Sequence, residues 1–347
     1  MSTQPTTLVL GATGSIGYAV TQNLLTRGLP VTILVRNRAK ADALFSGAPT
    51  LTILEGDVQD ADTLKQVAAG KQCIVHGINY PYDEWLSQME PATRNVVEAA
   101  SQNQATIVFP GNVYTYGNCK DPIREDSRPA PNTRKGALRV ALEDLLEKAA
   151  QAGKCRVLTV RLPDFWGPNV LNAGVKPVFE GALQGKALPW LLNADIPHQF
   201  VYTPDAAEIM VRLMLRGSRQ PYEVWNYGGE VVPSVRWLFG RIAAITGQSL
   251  KIKVYPKWLF SVLGLFVPMM RELKEMFYLY ENSVVLDDAK VRAEFPDVNE
   301  TSLDIAITDT LTWFARHQLQ QEFAPAIRQT VGTSAAGKHQ VLSRSIS

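Results

Sequence analysis

Cysteine is scarce in this chain of 347 residues, which contains only three: Cys73, Cys119 and Cys155. An odd number without the spacing of metal ligands predicts neither a disulfide framework nor a zinc site, so a reducing, cytoplasmic location is expected. An excess of one charge is also lacking, because 35 Lys and Arg balance 33 Asp and Glu for a net charge of +2. Such a balance provides no overall field that would attract nucleic acid or an anionic membrane.

Long hydrophobic runs are absent as well. The longest, residues 258–270, is too short to cross a bilayer, so no transmembrane segment is predicted. Residues 1–7 lack the basic and apolar regions of a signal peptide. The run at 258–270 has Lys257 and Arg271 at its ends and is compatible with a helix on a membrane surface or the lining of an apolar cleft. A buried core helix or an interface helix is the interpretation that we prefer.

Short apolar runs alternate with segments of helical periodicity in the first half of the chain. Continuous runs rich in Val, Ile and Leu are typical of strands buried on both faces, and strict alternation with helices indicates right-handed βαβ units. We therefore predict an α/β fold with a doubly wound parallel sheet. The predicted strands are residues 6–10, 31–35, 51–54, 73–78, 106–109 and 155–160.

The sequence pattern changes after about Pro163, where frequent prolines and the pair Gly228-Gly229 interrupt short segments. This irregularity favours a smaller C-terminal substrate domain at the carboxyl ends of the strands, where ligands bind in open α/β folds. We predict a dinucleotide-binding domain at 1–165 and a mainly substrate-binding region at 166–330, with some segments returning to the sheet. Residues 331–347 are polar, small and aperiodic, which is typical of a disordered tail.

Three glycines directly follow the first predicted strand and open the first predicted helix. Gly11 permits a tight turn, Gly14 lets the backbone approach a pyrophosphate, and Gly17 allows the helix to pack closely on the strand. The free N–H groups at the helix start then bind the anion. In this strand-turn-helix context the pattern predicts a dinucleotide site, and a turn that merely packs is the alternative. The remaining predicted cofactor contacts of this glycine turn (residues 11–17) are Thr13, Ser15 and Ile16.

The end of the second predicted strand bears on the choice between NADP and NAD. An NAD site usually has an acid there for the ribose 2′-hydroxyl, but this chain has Arg36 and Arg38. Guanidinium groups suit the extra 2′-phosphate, so NADP is the predicted cofactor and NAD the lesser alternative. Solvated loop arginines are the other interpretation. Asp57 and Val58, after the third strand, are predicted to contact adenine, although Asp57 is also compatible with an ordinary turn aspartate.

With the turn GATGSIG and Asp57, four later segments resemble the extended short-chain dehydrogenase/reductase superfamily, the NAD(P)-dependent epimerase/dehydratase-like group. The resemblance covers roughly residues 6–318 and implies a Rossmann fold with an NAD(P) cofactor. The four segments are NVYTYG at 112–117, RLPDFWGP at 161–168, FVYTPDAA at 200–207 and WNYGG at 225–229.

The catalytic set implied by this resemblance is altered. Where the family has a Ser or Thr this chain has Asn112, and where it has a Tyr and, four residues later, a Lys, this chain has Lys135 and Arg139. Lys135 can serve as acid or base only if its pKa falls by several units, which Arg139 and an oxidised nicotinamide would promote. A pair that only holds the cofactor, or is solvated, is the alternative. Tyr114 is a replacement acid in principle.

Three further residues are assigned to the substrate side. Asp164 and Phe165 follow the sixth predicted strand and are expected to border the nicotinamide end of the cleft. His198 has no second histidine at ligand spacing, so no metal site is predicted, and it is expected at the rim of the cleft.

Two functions follow from these patterns. The first is an NADP(H)-binding oxidoreductase or epimerase/dehydratase-like enzyme that acts on a small carbonyl or alcohol substrate. The alternative is a non-catalytic dinucleotide-binding regulator or scaffold, suggested by the joint loss of the family's Tyr, Lys and Ser. A small-molecule substrate and no nucleic acid are predicted as partners, and a homodimer is considered without being determined by the sequence.

Overall fold

The computed structural model describes residues 5–326, except for the side chains of residues 268 and 269. The tail predicted at 331–347 lies outside the described residues. No helix in the described part combines the length and the apolar character that crossing a membrane requires.

The strands are short and mostly buried. In chain order they are β1 (Thr7–Leu10), β2 (Val31–Val35), β3 (Leu51–Glu55), β4 (Cys73–His76), β5 (Thr106–Asn112), β6 (Arg156–Leu162), β7 (Asp164–Trp166), β8 (Leu188–Leu191), β9 (His198–Tyr202), β10 (Tyr222–Asn226), β11 (Glu230–Val232) and β12 (Ile252–Tyr255).

Helices connect most of these strands. They are α1 (Ser15–Thr26), α2 (Arg38–Phe45), α3 (Ala61–Ala68), α4 (Trp85–Asn103), α5 (Arg134–Gln151), α6 (Lys176–Leu183), α7 (Thr203–Arg216), α8 (Val235–Thr246), α9 (Lys257–Leu263), α10 (Pro268–Leu273), α11 (Tyr278–Glu281), α12 (Ala289–Glu294) and α13 (Leu303–Phe314). Short helical turns lie at Val113–Tyr116 and Lys274–Met276, and a π-helical turn at Ala315–Leu319.

Seven of the described strands form one parallel sheet in the order β3-β2-β1-β4-β5-β6-β10. Alternate residues of β1 face opposite layers: Leu8 and Leu10 belong to the core that includes α3, α4 and α5, whereas Val9 packs with α1 and α7. Helices therefore cover both faces, and the predicted doubly wound parallel sheet is confirmed. The carboxyl ends of β1, β4 and β5 meet at one edge, since these strands are adjacent and parallel.

The strand ends differ slightly from the prediction. The strand predicted at 73–78 ends at His76, because the backbone of Gly77 lies against Gly11. The strand predicted at 106–109 continues to Asn112, which pairs with Leu162 of β6. Pro110, Gly111 and Asn112 are thereby held in the sheet.

The second half of the chain adds smaller sheets. Strands β7, β9 and β11 form a three-stranded sheet, and β8 pairs with β12. A third core, around Trp166, Trp190, Phe239 and Phe314, fills the space between these sheets and the helices α6, α8 and α13. Strand β10 instead lies in the large sheet, where it pairs in parallel with β6.

Candidate active site

The glycine turn is built from close backbone contacts. Gly11 has φ +73°, a conformation that favours glycine, and a Cβ on it would lie 2.2 Å from the carbonyl oxygen of Gly77. A Cβ on Gly17 would lie 2.2 Å from the carbonyl oxygen of Gly11. Gly14 is the N-cap of α1 and offers no side chain to the N–H groups of the first turn. These groups are oriented toward the end of β1, and this geometry fits a pyrophosphate.

Of the other predicted residues of this turn, Thr13 and Ser15 are half-buried and Ile16 is buried. Ile16 is buried in the core, so only its N–H is available to a ligand. The carbonyl of Thr13 accepts a hydrogen bond from the side chain of Asn169 at 3.3 Å. Asn169 is buried and has φ +60°, which asparagine tolerates better than most residues. This residue, missed in the sequence, ties the turn to the segment after β7.

The two arginines after β2 have different surroundings. Arg38 donates to the carbonyl of Ile53 at 3.1 Å and lies 3.7 Å from Asp42. Arg36 is exposed, lies 6.0 Å from the ring of Tyr80, and forms no ion pair within the described residues. Arg36 is therefore the arginine that remains available to a phosphate.

Asp57 and Val58 lie in the turn after β3. The carboxylate of Asp57 accepts from the N–H of Gln59 at 2.9 Å, and the carbonyl of Val58 accepts from the side chain of Asn95 at 3.0 Å. Both residues are half-buried. These contacts stabilise the turn and fit the turn-aspartate interpretation, without occupying the whole carboxylate.

Lys135 has an environment that the sequence did not indicate. Its side chain is 1% exposed, and its ammonium group contacts the carboxylate of Glu272 and lies 3.6 Å from that of Glu275. Arg134 approaches the same two carboxylates from outside, at 3.2 and 2.7 Å. The ammonium group is therefore held in a buried ion-pair cluster with two carboxylates. Glu272 and Glu275 were missed because no local pattern connects them to residue 135.

This buried cluster has a measurable effect on stability. Replacing Lys135 with Met is expected to lower the free energy of unfolding by about 3–5 kcal/mol, because two carboxylates lose their buried partner. The matched control is Arg134→Met: that side chain is 61% exposed and contacts the same carboxylates, so a loss of at most about 1 kcal/mol is expected. Urea unfolding of both variants measures the difference. Equal losses would contradict this assignment.

The same cluster predicts a pH dependence. Burial raises the pKa of Glu272, but the hydrogen bond and charge of Lys135, with Arg134, outweigh this and hold the pKa below 4.5. Stabilisation by a carboxylate with a lowered pKa is fully present above its unfolded value and is lost as the pH falls through the folded value. The stability gap between wild type and Lys135→Met should therefore narrow below pH 4.5.

Arg139, one turn further along α5, is also buried. It donates to the carbonyl of Pro110 at 2.5 Å, and its guanidinium lies 4.7 Å from the ring of Phe109. Burial lowers its pKa, against the nearby charge of Glu143. Its Nε is buried and has no hydrogen-bond partner among the described residues. An orphaned buried donor of this kind fits a ligand hydroxyl.

A tyrosine pair, Tyr82 and Tyr114, lies at the same edge of the sheet. Their hydroxyls are 2.8 Å apart. Burial raises the pKa of Tyr82 to about 12 and that of Tyr114 well above 10, while the charge of Arg139 lowers the pKa of Tyr82. Asn112 caps the short helix at Val113–Tyr116, its side chain accepting from the N–H of Tyr114 at 3.1 Å. Asn112 thus positions Tyr114.

Tyr82 was missed in the sequence, and the only signal was its place in a Tyr-Pro-Tyr segment soon after a predicted strand. Tyr82 follows β4 and Tyr114 follows β5, whereas the glycine turn follows β1. Because β1, β4 and β5 are neighbours in the sheet, the tyrosine pair and the glycine turn lie at the same edge.

Asp164 and His198 form a second pair. His198 Nε2 lies 2.9 Å from the carboxylate of Asp164, whose side chain is 30% exposed. The charge of Asp164 contributes to the raised pKa values of both Tyr82 and Tyr114, so the two pairs lie near each other. Phe165, by contrast, packs against the core on the α1 and α7 face of the sheet. Asp164 and His198 therefore lie near the tyrosine pair, whereas Phe165 packs against the core.

The buried-core interpretation of residues 258–270 is wrong. The structure divides this run between α9 and α10, and Trp258, Leu265 and Phe266 are 66%, 78% and 81% exposed. Gly264, between the two helices, interrupts the apolar periodicity. The run is consequently a surface feature.

Comparison with known proteins agrees with the fold. The sequence matches the profile of the "NAD dependent epimerase/dehydratase family" over residues 7–228. It is 26% identical, over 79% of this chain and 92% of the relative, to UDP-N-acetyl-alpha-D-glucosaminuronate decarboxylase of Bacillus cytotoxicus. It is 30% identical, over 48% of this chain and 52% of the relative, to dTDP-6-deoxy-L-talose 4-dehydrogenase (NAD(P)(+)) of Kitasatospora kifunensis.

Among solved structures, UDP-glucuronic acid 4-epimerase of Bacillus cereus in complex with NAD superimposes with a TM-score of 0.73. The two share 16% identity, and the match covers 90% of this chain and 99% of that one. The family match runs through the glycine turn, the tyrosine pair and the Asp164–His198 pair, and spans more than half of the chain. The protein therefore belongs to the NAD dependent epimerase/dehydratase family and is an enzyme of the extended short-chain dehydrogenase/reductase type.

Proposed function

We propose that this enzyme is an NADP(H)-dependent oxidoreductase or epimerase-like catalyst for a small carbonyl or alcohol substrate, and that Tyr114 exchanges the proton. The observation that carries the proposal is the tyrosine pair, with hydroxyls 2.8 Å apart, within the electrostatic reach of Arg139. It lies at the edge of the sheet that also bears the glycine turn. Lys135, which is ion-paired with Glu272 and Glu275, has a structural role in this proposal.

The residues present fit a dinucleotide. The N–H groups of the glycine turn would hold the pyrophosphate, and the unpartnered Nε of Arg139 would donate to a ribose hydroxyl, the part that the resemblance gives to a lysine. A bound nicotinamide cofactor supplies or accepts the hydride at the substrate carbon. The protein then has to bind the substrate and move one proton.

Tyr114 suits the reducing direction. Because its pKa is raised well above 10, it is protonated at neutral pH and can donate to a carbonyl oxygen as the carbon gains the hydride. The Tyr82 hydroxyl, hydrogen-bonded to it, can return a proton. The positive charge of Arg139 stabilises the phenolate that forms in between.

Asp164 is the polar group best placed to bind the substrate. Its carboxylate is partly exposed, oriented by His198 at 2.9 Å, and close enough to raise the pKa of the tyrosine pair. A carboxylate accepts hydrogen bonds from substrate hydroxyls. The relatives named above carry sugar nucleotides in their names, so these compounds belong beside small carbonyls in any substrate test.

NADP preference rests on Arg36. Replacing Arg36 with Asp is expected to weaken NADPH binding by about tenfold or more and to leave NADH binding unchanged or stronger, because one charge-assisted hydrogen bond contributes about 1.5–3 kcal/mol. The control is Arg38→Asp, since Arg38 is already engaged by Ile53 and Asp42. Titration calorimetry with both cofactors measures the effect. Wild-type protein that binds NADH as tightly as NADPH would contradict the preference.

The activity is tested by single-turnover oxidation of NADPH with a panel of small ketones, aldehydes and sugar nucleotides. We expect turnover with a small carbonyl, and equal turnover by Lys135→Arg, which keeps the charge but cannot exchange a proton. Turnover with sugar nucleotides alone would overturn the substrate class. Loss of turnover in a folded Lys135→Arg variant would indicate that Lys135, and not Tyr114, exchanges the proton. Tight NADPH binding without any turnover would favour the regulator or scaffold.

A further inference from the structure

Residues 257–273 form an apolar hairpin, in which the short helices α9 and α10 are joined by a tight turn. Twelve large apolar side chains are exposed in the described residues, and six of them lie inside this hairpin, between residues 258 and 267. Exposed apolar clusters of this kind mark interaction surfaces, whereas single exposed apolar residues are ordinary. The six are Trp258, Val262, Leu263, Leu265, Phe266 and Val267.

The exposed charges on the apolar hairpin and directly beside it are mostly basic. Five exposed cations lie on the hairpin or close to its two ends, and one of them, Lys257, pairs with the carboxylate of Glu281 at 2.9 Å. The two acids of the hairpin region, Glu272 and Glu275, are instead 13% and 19% exposed and point to Lys135. Tertiary structure thus concentrates positive charge locally in a chain with a net charge of only +2. The five cations are Lys251, Lys253, Lys257, Arg271 and Lys274.

We propose that the apolar hairpin docks on the surface of a membrane that contains anionic lipid. An exposed Trp, Phe and Leu set beside Lys and Arg is the composition of an interfacial segment, whose apolar face enters the acyl boundary while the cations contact lipid phosphates. Neither helix is long enough to span a bilayer, so the hairpin lies in the interface.

A second copy of the chain fits the hairpin less well. In a two-fold contact the same patch meets itself, so the cations of both copies would be brought together. Like charges at close range oppose such a contact, whereas they favour an anionic surface. Charge complementarity therefore favours an anionic lipid surface over a second copy of the chain.

Docking would also place the active site at the membrane. Glu272 and Glu275 reach Lys135, and Met276 and Tyr278 of the segment that follows belong to the same core cluster as Val113. Val113 is adjacent to Tyr114 in the short helix at Val113–Tyr116. The hairpin is thus fixed to the same helical turn that positions the tyrosine pair.

The test is co-sedimentation of the full chain with vesicles of phosphatidylcholine alone or mixed with phosphatidylglycerol. Binding to the mixed vesicles is expected, weakened by added salt. The double change Leu265→Ser and Phe266→Ser should reduce partitioning by about a hundredfold, because two large apolar side chains no longer enter the lipid. Lys251→Glu with Lys253→Glu should reduce it by about tenfold or more.

Leu86→Ser is the matched control, since Leu86 is 50% exposed but lies outside the hairpin, and it should bind as wild type does. Absence of binding to mixed vesicles would overturn the proposal, as would equal binding by the Leu265, Phe266 double variant. Self-association in sedimentation velocity without vesicles, abolished by that double variant, would also overturn it and assign the hairpin to a second copy. Circular dichroism spectra of all variants establish that they are folded.

Discussion

Tyr114→Phe is expected to slow carbonyl reduction by about 10²–10⁴-fold and to leave NADPH affinity within about twofold, because it removes the proton donor but none of the groups that hold the cofactor. The hydroxyl of Tyr114 lies 2.8 Å from that of Tyr82, its immediate proton source. Tyr82→Phe should therefore slow the reaction less, by about tenfold. Single-turnover oxidation of NADPH measures both.

The matched control is Tyr116→Phe. Tyr116 is buried two residues further on, with the guanidinium of Arg161 5.1 Å from its ring, and it has no part in the proposed proton transfer. A rate loss in Tyr116→Phe equal to that in Tyr114→Phe would show that any buried hydroxyl of this segment has the same effect, and the assignment would fail.

The pH profile gives a second check on Tyr114. The active form is the protonated phenol, which persists up to the raised pKa, well above 10. The reduction rate should be flat through neutral pH and fall only as the pH rises toward that value. A loss of activity between pH 6 and 8 would contradict the assignment of the proton exchange to Tyr114.

Gly17→Ala is expected to lower NADPH affinity by about a hundredfold or more. The new Cβ would lie 2.2 Å from the carbonyl oxygen of Gly11, and a contact between two backbone segments can be relieved only by moving the glycine turn. Displacing the turn by a fraction of an ångström removes the N–H groups from the pyrophosphate. Titration calorimetry measures the affinity.

Two further glycine substitutions serve as graded comparisons for the NADPH affinity of Gly17→Ala. A Cβ on Gly14 would lie 3.2 Å from the same oxygen, so Gly14→Ala should cost about tenfold in affinity. Nothing lies within 4 Å of a Cβ on Gly240, inside α8, so Gly240→Ala should bind NADPH normally and gain up to about 1 kcal/mol in stability. Equal affinities for all three variants would show that the turn does not hold the cofactor. Thermal unfolding of Gly17→Ala separates lost binding from lost folding.

The sequence by itself determined the sheet and the glycine turn, because both depend on local order along the chain. Apolar runs alternating with helical periods specify βαβ units, and three glycines at fixed spacing produce one turn between β1 and α1. The predicted strands were confirmed with shifts of a few residues at their ends. Those shifts arose where a neighbour decided the boundary, as at Gly77 against Gly11.

The partners of the site residues were decided only by the tertiary structure. The ammonium group of Lys135 contacts a carboxylate 137 residues away in the sequence. The hydroxyls of Tyr82 and Tyr114 contact each other although the two residues are 32 positions apart and follow different strands. Local periodicity carries no information about such pairs, since they depend on which segments the topology brings to one edge of the sheet. The prediction for Lys135 considered Arg139 on the same helix and a bound nicotinamide, and it did not include Glu272 and Glu275.

The exposure of Trp258, Leu265 and Phe266 in the apolar hairpin likewise depends on the tertiary structure. An apolar run of this length is compatible with a core helix or a surface hairpin, and the composition is the same in both cases. What distinguishes them is whether another apolar face is available to cover the run. Here the acids of the segment turn inward to Lys135 and the cations remain outside, so a nearly neutral sequence presents a basic, apolar surface.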